Sequence, residues 1–259
     1  AEIARVQPPA GRGVKLIPIT AGEVVLAYNV PDIKAELRLP RDVYVDILLG
    51  NIYRWDDPRI AAANPDIELP AKLIQVVARR DSSGTTFALT NHLSSISVAW
   101  REGPGTGKSI DWPGSTMTAS GNEGVAQRLK ITLNSIGYVE YGFARRLGLS
   151  MAVLENRAGN FVAPGAVGGA AALDAATATI PDDLRLFLPD PPGEDAYPVV
   201  SLVWLLLNSS YPKTDKSSAL RDAVDWILGP GQKVAEQMGY IPLPESLTGR
   251  SRQALNQIQ

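Results

Sequence analysis

The stretch KLIQVVARRDSSGTTFALTNHL, residues 72–93, joins an apolar segment to a polar turn and the start of a helix. The apolar, β-branched residues 72–79 predict a buried strand. Beyond the turn, apolar residues recur every three or four positions and predict one helix face: Leu89, Leu93, Ile96 and Trp100. Gly103 and Pro104 are expected to end that helix. The stretch therefore predicts a strand-to-helix turn, a unit of α/β sheets.

The same alternation continues on both sides of this turn. Strands are predicted at 15–30, 135–141 and 199–207, and helices at 43–48 and 121–130. A helix is favoured over a linker for the stretch rich in Gly and Ala from Ala158 to Ala178, and two helices, separated by GPG at 229–231, are expected to close the chain. The pattern predicts an α/β fold, and a mixed sheet is possible.

Composition excludes several functional classes. The chain has 259 residues, 45% of them hydrophobic, and 25 Lys and Arg against 27 Asp and Glu, so no net field attracts nucleic acid. With no cysteine and a single histidine, His92, there is no basis for a metal site, and no cofactor is predicted. The longest apolar run, 199–207, is too short to span a bilayer. The first residues lack the layout of a secretory signal, so either none exists or it has been removed.

The polar turn has the chemistry of an oxyanion site. Ser83, Gly84 and Thr85 stand where a helix begins, and the unpaired N–H groups there attract anions. Arg79 supplies a planar fork of donors suited to phosphate-type oxygens. Asp81 is expected to orient Arg79. In the alternative reading, Asp81 and Ser82 only cap the helix and the arginine is an exposed charge.

No catalytic residue is predicted. Ser83 lacks the G-x-S-x-G context of a hydrolase nucleophile, and no second histidine is available as a base. His92 has no ligand-type neighbour at a suitable spacing, so we expect a surface or half-buried structural role. In GNEGVA, residues 121–126, Asn122 and Glu123 are expected to cap a helix.

With its surroundings, RRDSSGTTFALTNHLSSISVAW resembles the phosphate-binding proteins of the bacterial phosphate ABC transporter. Other stretches agree with that family in order and approximate spacing, from about residue 15 to near the C-terminus: AGEVVLAYNV, LLGNIYRWDDPRIAAANPDIELP, GNEGVAQRLKITLNSIGYVEYGFA, GEDAYPVVS and GYIPLPESL. The resemblance implies a type II periplasmic binding protein fold, in which two α/β lobes with mixed sheets are joined by crossing strands. It also implies that phosphate is gripped in the cleft between them.

Carried over by position, the resemblance implies that Arg79, Ser83, Gly84 and Thr85 bind phosphate and that Asp81 pairs with Arg79. The family begins with a segment that has no counterpart here, so the first lobe is expected to be incomplete. The expected division is 1–22 as a remnant of lobe 1 and the first crossing, 23–197 as lobe 2, and 198–259 as the return crossing and the end of lobe 1.

The expected function is capture of inorganic phosphate for uptake through a membrane permease of an ABC transporter, without catalysis. We expect a monomer located in the periplasm or exposed at the cell surface. Two alternatives stay open at this point. One is a non-binding remnant with a partner-interaction or sensing role, and the other is an enzyme that processes phosphoesters.

Overall fold

The computed structural model describes residues 13–177, 179–211 and 214–258. These residues form the following strands: β1 (Val14–Asn29), β2 (Arg38–Leu39), β3 (Gln75–Arg79), β4 (Met117–Ala119), β5 (Ser135–Glu140), β6 (Ser150–Met151), β7 (Val153–Glu155), β8 (Phe161–Val162) and β9 (Val200–Asn208). They also form the following helices: α1 (Arg41–Leu49), α2 (Pro58–Ala63), α3 (Gly84–Ile96), α4 (Val98–Glu102), α5 (Gly121–Ile131), α6 (Tyr141–Leu147), α7 (Ala166–Thr177), α8 (Thr214–Ile227), α9 (Gly231–Gln237) and α10 (Glu245–Asn256). Among these helices, none has both the length and the apolar character needed to cross a bilayer.

Strand β1 organises the sheet, because its two parts pair with different strands. Residues 14–23 pair antiparallel with β9, from Val14 opposite Asn208 to Glu23 opposite Val200. Residues 24–29 pair antiparallel with β5. The β9 register shifts at Pro18, which has no N–H to donate to a ladder. One continuous strand therefore joins two regions of sheet.

The strands that carry the quoted turn are parallel. The order is β4-β3-β5-β1-β6, with β9 on the other part of β1, and β2, β7 and β8 form a small separate sheet. Strand β3 is parallel to both β4 and β5, so Arg79 and Glu140 stand at the same edge of the sheet. Ligands of open α/β sheets bind outside this carboxyl edge. The expected α/β fold with mixed sheets is confirmed.

Three large aromatic side chains lie in the core with their polar groups hydrogen-bonded. Trp55, Trp100 and Tyr138 are fully buried. The indole N–H of Trp55 donates to the Asn134 carbonyl at 3.0 Å, and that of Trp100 to the Gly105 carbonyl at 2.9 Å. Burying each such side chain stabilises the fold by roughly 1.5–3 kcal/mol. The paired indoles therefore contribute apolar burial without leaving an orphaned donor.

The structure corrects two local expectations. The helix expected to run through Trp100 ends at Ile96, because the Ser97 side chain accepts the Trp100 N–H at 3.1 Å and starts the separate helix α4. The chain closes with three helices rather than two, since α10 follows α9. The favoured helix in the region rich in Gly and Ala is found as α7. The division into lobes at 22/23 and 197/198 stays a prediction.

His92 also differs from its expectation, because its side chain is fully buried rather than at the surface or half-buried. The ring nitrogen Nε2 lies 2.7 Å from the Tyr44 hydroxyl, and Nδ1 lies 2.6 Å from the Pro189 carbonyl oxygen. Burial lowers the pKa of His92 to about 4, so the ring is neutral near pH 7. The side chain links α1, α3 and the segment before β9.

Candidate oxyanion-binding site

The four residues expected to hold an oxyanion line one cleft of about 960 Å³: Arg79, Ser83, Gly84 and Thr85. Helix α3 begins there because Ser83 is extended (φ −139°, ψ 131°) and its side chain accepts the Thr86 N–H at 3.2 Å, as an N-cap does. A Cβ added at Gly84 would meet no described heavy atom within 4 Å. The helix tip therefore opens directly onto the cleft.

Asp81 holds the Arg79 guanidinium in a fixed orientation. Arg79 Nε donates to Asp81 Oδ1 at 2.9 Å, and a terminal nitrogen donates to Oδ2 at 2.6 Å. The Arg79 side chain is only 9% exposed. The hydrogen bonds from Arg79 hold the pKa of Asp81 well below its usual range, and those to Asp81 raise the pKa of Arg79. Both groups are therefore charged at neutral pH.

Helix α5 supports the acid of this pair. The Gly121 N–H donates to Asp81 Oδ1 at 3.0 Å, from a residue with φ of 69°. Glycine adopts this left-handed conformation without the strain that a side chain would add. The carboxylate thus receives donors from both Arg79 and the start of α5.

The Tyr138 hydroxyl is hydrogen-bonded to both ends of the turn. Its oxygen accepts the Arg79 backbone N–H at 3.1 Å and lies 2.6 Å from the Thr86 hydroxyl. Burial raises the pKa of Tyr138 to about 12, so the phenol is neutral. One side chain of β5 therefore ties the end of β3 to the first turn of α3.

Thr85 is joined to a carboxylate within the cleft. Its hydroxyl donates to Glu140 Oε1 at 3.1 Å, and Asn122 Nδ2 donates to the same hydroxyl oxygen at 3.4 Å. Asn122 Oδ1 also accepts the Glu140 backbone N–H at 3.3 Å. This corrects the expected capping role of Asn122, because Ser120 occupies the N-cap position of α5 and Asn122 lines the cleft.

Sequence reasoning identified the Arg79 to Thr85 turn but missed other charged groups of the cleft. The charged residues that line it are Arg79, Lys108, Glu140 and Arg185. The Lys108 carbonyl accepts the Ser83 N–H at 2.9 Å and so fixes its loop beside the helix tip. Local spacing carries no signal for these residues, since each comes from a different segment. What the sequence placed together was one wall of the cleft, to which five of the seven consecutive residues 79–85 contribute.

This arrangement offers the donors that bind an anion. The described residues contain no cluster of three or more His, Asp or Glu able to hold a metal ion. Ser83 has no histidine beside it, because His92 is engaged with Tyr44 and Pro189. Backbone N–H groups, hydroxyls and one oriented arginine are instead the donors that a tetrahedral oxyanion requires.

Comparison with known proteins identifies the family of the chain. Residues 1–230 match the family model described as a PBP superfamily domain. Relatives include the phosphate-binding protein PstS of Methanocaldococcus jannaschii, 40% identical and covering 93% of this chain and 67% of its own length. PstS of Pasteurella multocida is also 40% identical, with 89% and 67% covered, and PstS of Xylella fastidiosa is 38% identical, with 91% and 65% covered. The chain thus spans about two thirds of the length of these relatives.

Solved structures show the same fold. A phosphate-binding protein from Stenotrophomonas maltophilia has a TM-score of 0.73 at 18% identity, covering 96% of this chain and 74% of that chain. A high-affinity periplasmic phosphate-binding protein, PfluDING, solved with bound phosphate, has a TM-score of 0.71 at 19% identity, covering 93% and 71%. These likenesses confirm the expected type II periplasmic binding protein fold. The chain belongs to the PBP superfamily and, within it, to the family of the phosphate-binding protein PstS.

Proposed function

We propose that the chain captures inorganic phosphate in the cleft beside Arg79 and delivers it to the membrane permease of an ABC transporter. The observation that carries this proposal is the Arg79 guanidinium, held by Asp81 at 2.6–2.9 Å beside the open tip of α3. The relatives are named phosphate-binding proteins, which supports the same ligand. Capture involves no bond cleavage, and we place the protein outside the cytoplasm as a monomer.

In this proposal the ligand oxygens are divided among the donors of the turn. Arg79 contributes a charge-assisted contact, and the N–H groups of Gly84 and Thr85 offer backbone donors at the helix tip. The Ser83 and Thr85 hydroxyls add side-chain donors. Asp81 does not contact the ligand but keeps the guanidinium aimed at it. Because the tip has unpaired donors, an anion there restores hydrogen bonds that the helix itself cannot make.

Calorimetric titration with inorganic phosphate tests the proposal. Wild-type protein should bind, and Arg79→Ala should raise the dissociation constant at least about thirtyfold, the cost of deleting one member of a desolvated charge pair. Arg80→Ala is the matched control, since Arg80 is adjacent, pairs with the Ser120 hydroxyl at 2.7 Å and does not line the cleft. Equal affinity in the wild type and Arg79→Ala would reject the assignment.

Thermal unfolding separates capture from a non-binding role. A ligand that binds only the folded state must raise the unfolding midpoint. We expect phosphate to raise the midpoint of the wild type and of Arg80→Ala but not of Arg79→Ala. A midpoint that phosphate leaves unchanged in all three proteins would favour the non-binding alternative.

A further inference from the structure

Arg185 lines the same cleft as the Arg79 to Thr85 turn, although it lies about a hundred residues further along the chain. It stands in the segment between α7 and β9. Its backbone N–H donates to Asp183 Oδ1 at 3.0 Å. Within the described ranges, no hydrogen bond or ion pair engages its guanidinium. An exposed guanidinium without a contact partner among the described residues therefore stands at the anion-binding cleft.

The backbone on the N-terminal side of Arg185 is held in an unusual conformation. Leu184 has φ of 58°, a left-handed value that a residue with a branched side chain rarely adopts. Its N–H donates to the Pro181 carbonyl at 3.0 Å, and its own carbonyl accepts the Trp204 indole N–H at 2.9 Å. The Leu184 side chain is buried. Strain of this kind persists only where the surroundings enforce it.

The C-terminal side of Arg185 is anchored as well. The Phe187 ring packs against Phe87 of α3, with ring centroids 5.4 Å apart, and against Trp204 of β9 at 6.1 Å. Exposure alternates along this segment, since Leu184 and Leu188 are buried while Arg185 and Phe187 are exposed. Residues i and i+2 of an extended chain share a face. Arg185 therefore lies on the side of the segment that meets the first turn of α3.

Two polar contacts fix the segment further on. Arg41 makes a bidentate pair with Asp190 at 2.9 and 2.8 Å, and the His92 ring holds the Pro189 carbonyl. Both partners belong to the helices packed behind the cleft, α1 and α3. The segment is thus secured at Leu184, at Phe187 and at residues 189–190. Contacts on both sides limit how far Arg185 can move from the cleft.

The charges around the Arg79 to Thr85 turn show why Arg185 matters for the attraction of an anion. Of the groups that form or line the site, the Arg79 guanidinium is paired with Asp81, and Glu140 adds a second carboxylate. These three groups together therefore carry no net positive charge before the ligand arrives. Lys108 is a further cation of the lining. The exposed guanidinium of Arg185 consequently supplies positive charge that Arg79, Asp81 and Glu140 together do not supply.

Resting on the proposed function, we propose that Arg185 is the residue that draws the phosphate anion into the cleft. Its charge acts over the distance to the Arg79 to Thr85 turn, and the low-dielectric walls of the cleft focus that field. The ligand then exchanges its hydration for the donors of the turn. We therefore expect Arg185 to affect the phosphate affinity only at low salt, and Arg79 to affect it at every salt concentration.

The test is calorimetric titration with inorganic phosphate at about 0.01 M and about 1 M ionic strength, where the screening length falls from about 30 Å to about 3 Å. At low salt we expect Arg185→Gln to raise the dissociation constant about fivefold, Arg185→Glu to raise it further, and Arg185→Lys to stay near wild type. At high salt these differences should vanish. Arg157→Gln, an exposed arginine between β7 and β8 outside the cleft, should change binding less than Arg185→Gln.

Each of the following results would count against one or both proposals. If Arg185→Gln and Arg157→Gln behave alike at low salt while the wild type binds, the inference fails and the proposed function stands. A loss in Arg185→Gln that persists at high salt, or that Lys does not rescue, would overturn the role in attraction in favour of a structural one. A wild type that binds no phosphate would remove both proposals.

Discussion

Thr85 donates its hydroxyl hydrogen to Glu140 at 3.1 Å, so a carboxylate occupies one of the donors expected to serve the anion. The second oxygen of Glu140 accepts a longer hydrogen bond from the Tyr240 hydroxyl at 3.5 Å. Glu140 therefore lies between the phosphate-site turn and the segment that follows α9. A bound anion must compete with this carboxylate both for the Thr85 hydroxyl and for positive charge.

We predict that Glu140→Gln tightens phosphate binding. Removing one negative charge within a few ångströms of the ligand lowers repulsion, and an effect of about tenfold in the dissociation constant is expected at low salt. Calorimetry measures it, with Glu123→Gln as the control because Glu123 is exposed on α5 and does not line the cleft. Weaker binding in Glu140→Gln would contradict this prediction and would indicate that the carboxylate accepts a hydrogen bond from the ligand.

Ser83 has two separable roles, and Ser97 has only one of them. Each side chain caps a helix, Ser83 by accepting the Thr86 N–H and Ser97 by accepting the Trp100 N–H. We therefore expect Ser83→Ala and Ser97→Ala each to lower the free energy of unfolding by about 1 kcal/mol. Only Ser83→Ala should also weaken phosphate binding, since Ser83 lines the cleft. Denaturant unfolding and calorimetry on both variants check this, and an equal effect on binding would contradict it.

Because of the buried carboxyl of Glu23, we expect the free energy of unfolding to depend on pH. This carboxyl is buried on β1, where Oε2 accepts the Gly165 N–H at 2.7 Å and Oε1 has no partner with hydrogen-bond geometry among the described residues. Burial raises the pKa of Glu23 from 4.5 to about 8, although the Gly165 hydrogen bond opposes the change. The folded protein therefore holds a proton that the unfolded chain releases between these pH values.

The direction of this pH dependence follows from the difference in proton binding between the folded and unfolded states. Because the folded-state pKa is the higher one, stability is greatest below about pH 4.5 with respect to this group and falls as the pH rises towards about 8. The loss should be at most about 5 kcal/mol. We expect Glu23→Gln to flatten this part of the profile in denaturant unfolding, whereas Glu68→Gln at an exposed position should not. A wild-type profile that is flat from pH 5 to 8 would contradict the prediction.

We expect that a single methyl group added at Gly142 destabilises the fold. A Cβ at this residue would lie 2.5 Å from the Met238 carbonyl oxygen, so α6 and the end of α9 meet through backbone. We expect Gly142→Ala to lower the free energy of unfolding by about 1–3 kcal/mol, because a backbone atom cannot move aside as a side chain can. Gly249→Ala in α10 is the control, with no described atom within 4 Å of its Cβ. It should be neutral or stabilising by up to about 1 kcal/mol.

The parts of the site that sequence reasoning found are those encoded locally. Arg79, Asp81 and the helix start at Ser83 fall within five residues, and their roles follow from the strand before them and the helix after them. Glu140, Asn122 and Arg185 lie at least thirty residues away along the chain. Only the pairing of β3 with β5, and the packing of Phe187 on Phe87, brings them to the cleft.

The errors in secondary structure have similar causes. The apolar repeat from Leu89 to Trp100 was compatible with one helix, but the hydroxyl of Ser97 competes for the backbone and divides it. Helix α10 has few apolar residues, so its pattern gave a weak signal even though Leu247 and Leu255 are buried. The burial of His92 depends on Tyr44 and Pro189, which lie far from it in sequence.

The continuity of β1 limits how the molecule can move. Residues up to Glu23 belong to the ladder with β9, and residues from Val24 belong to the ladder with β5, without a break between them. Sliding one sheet region along the strand axis relative to the other would require stretching covalent bonds. Twisting about that axis requires only small changes of backbone torsion near Glu23. Rotation of the two regions relative to each other about β1 is therefore easier than translation of one past the other.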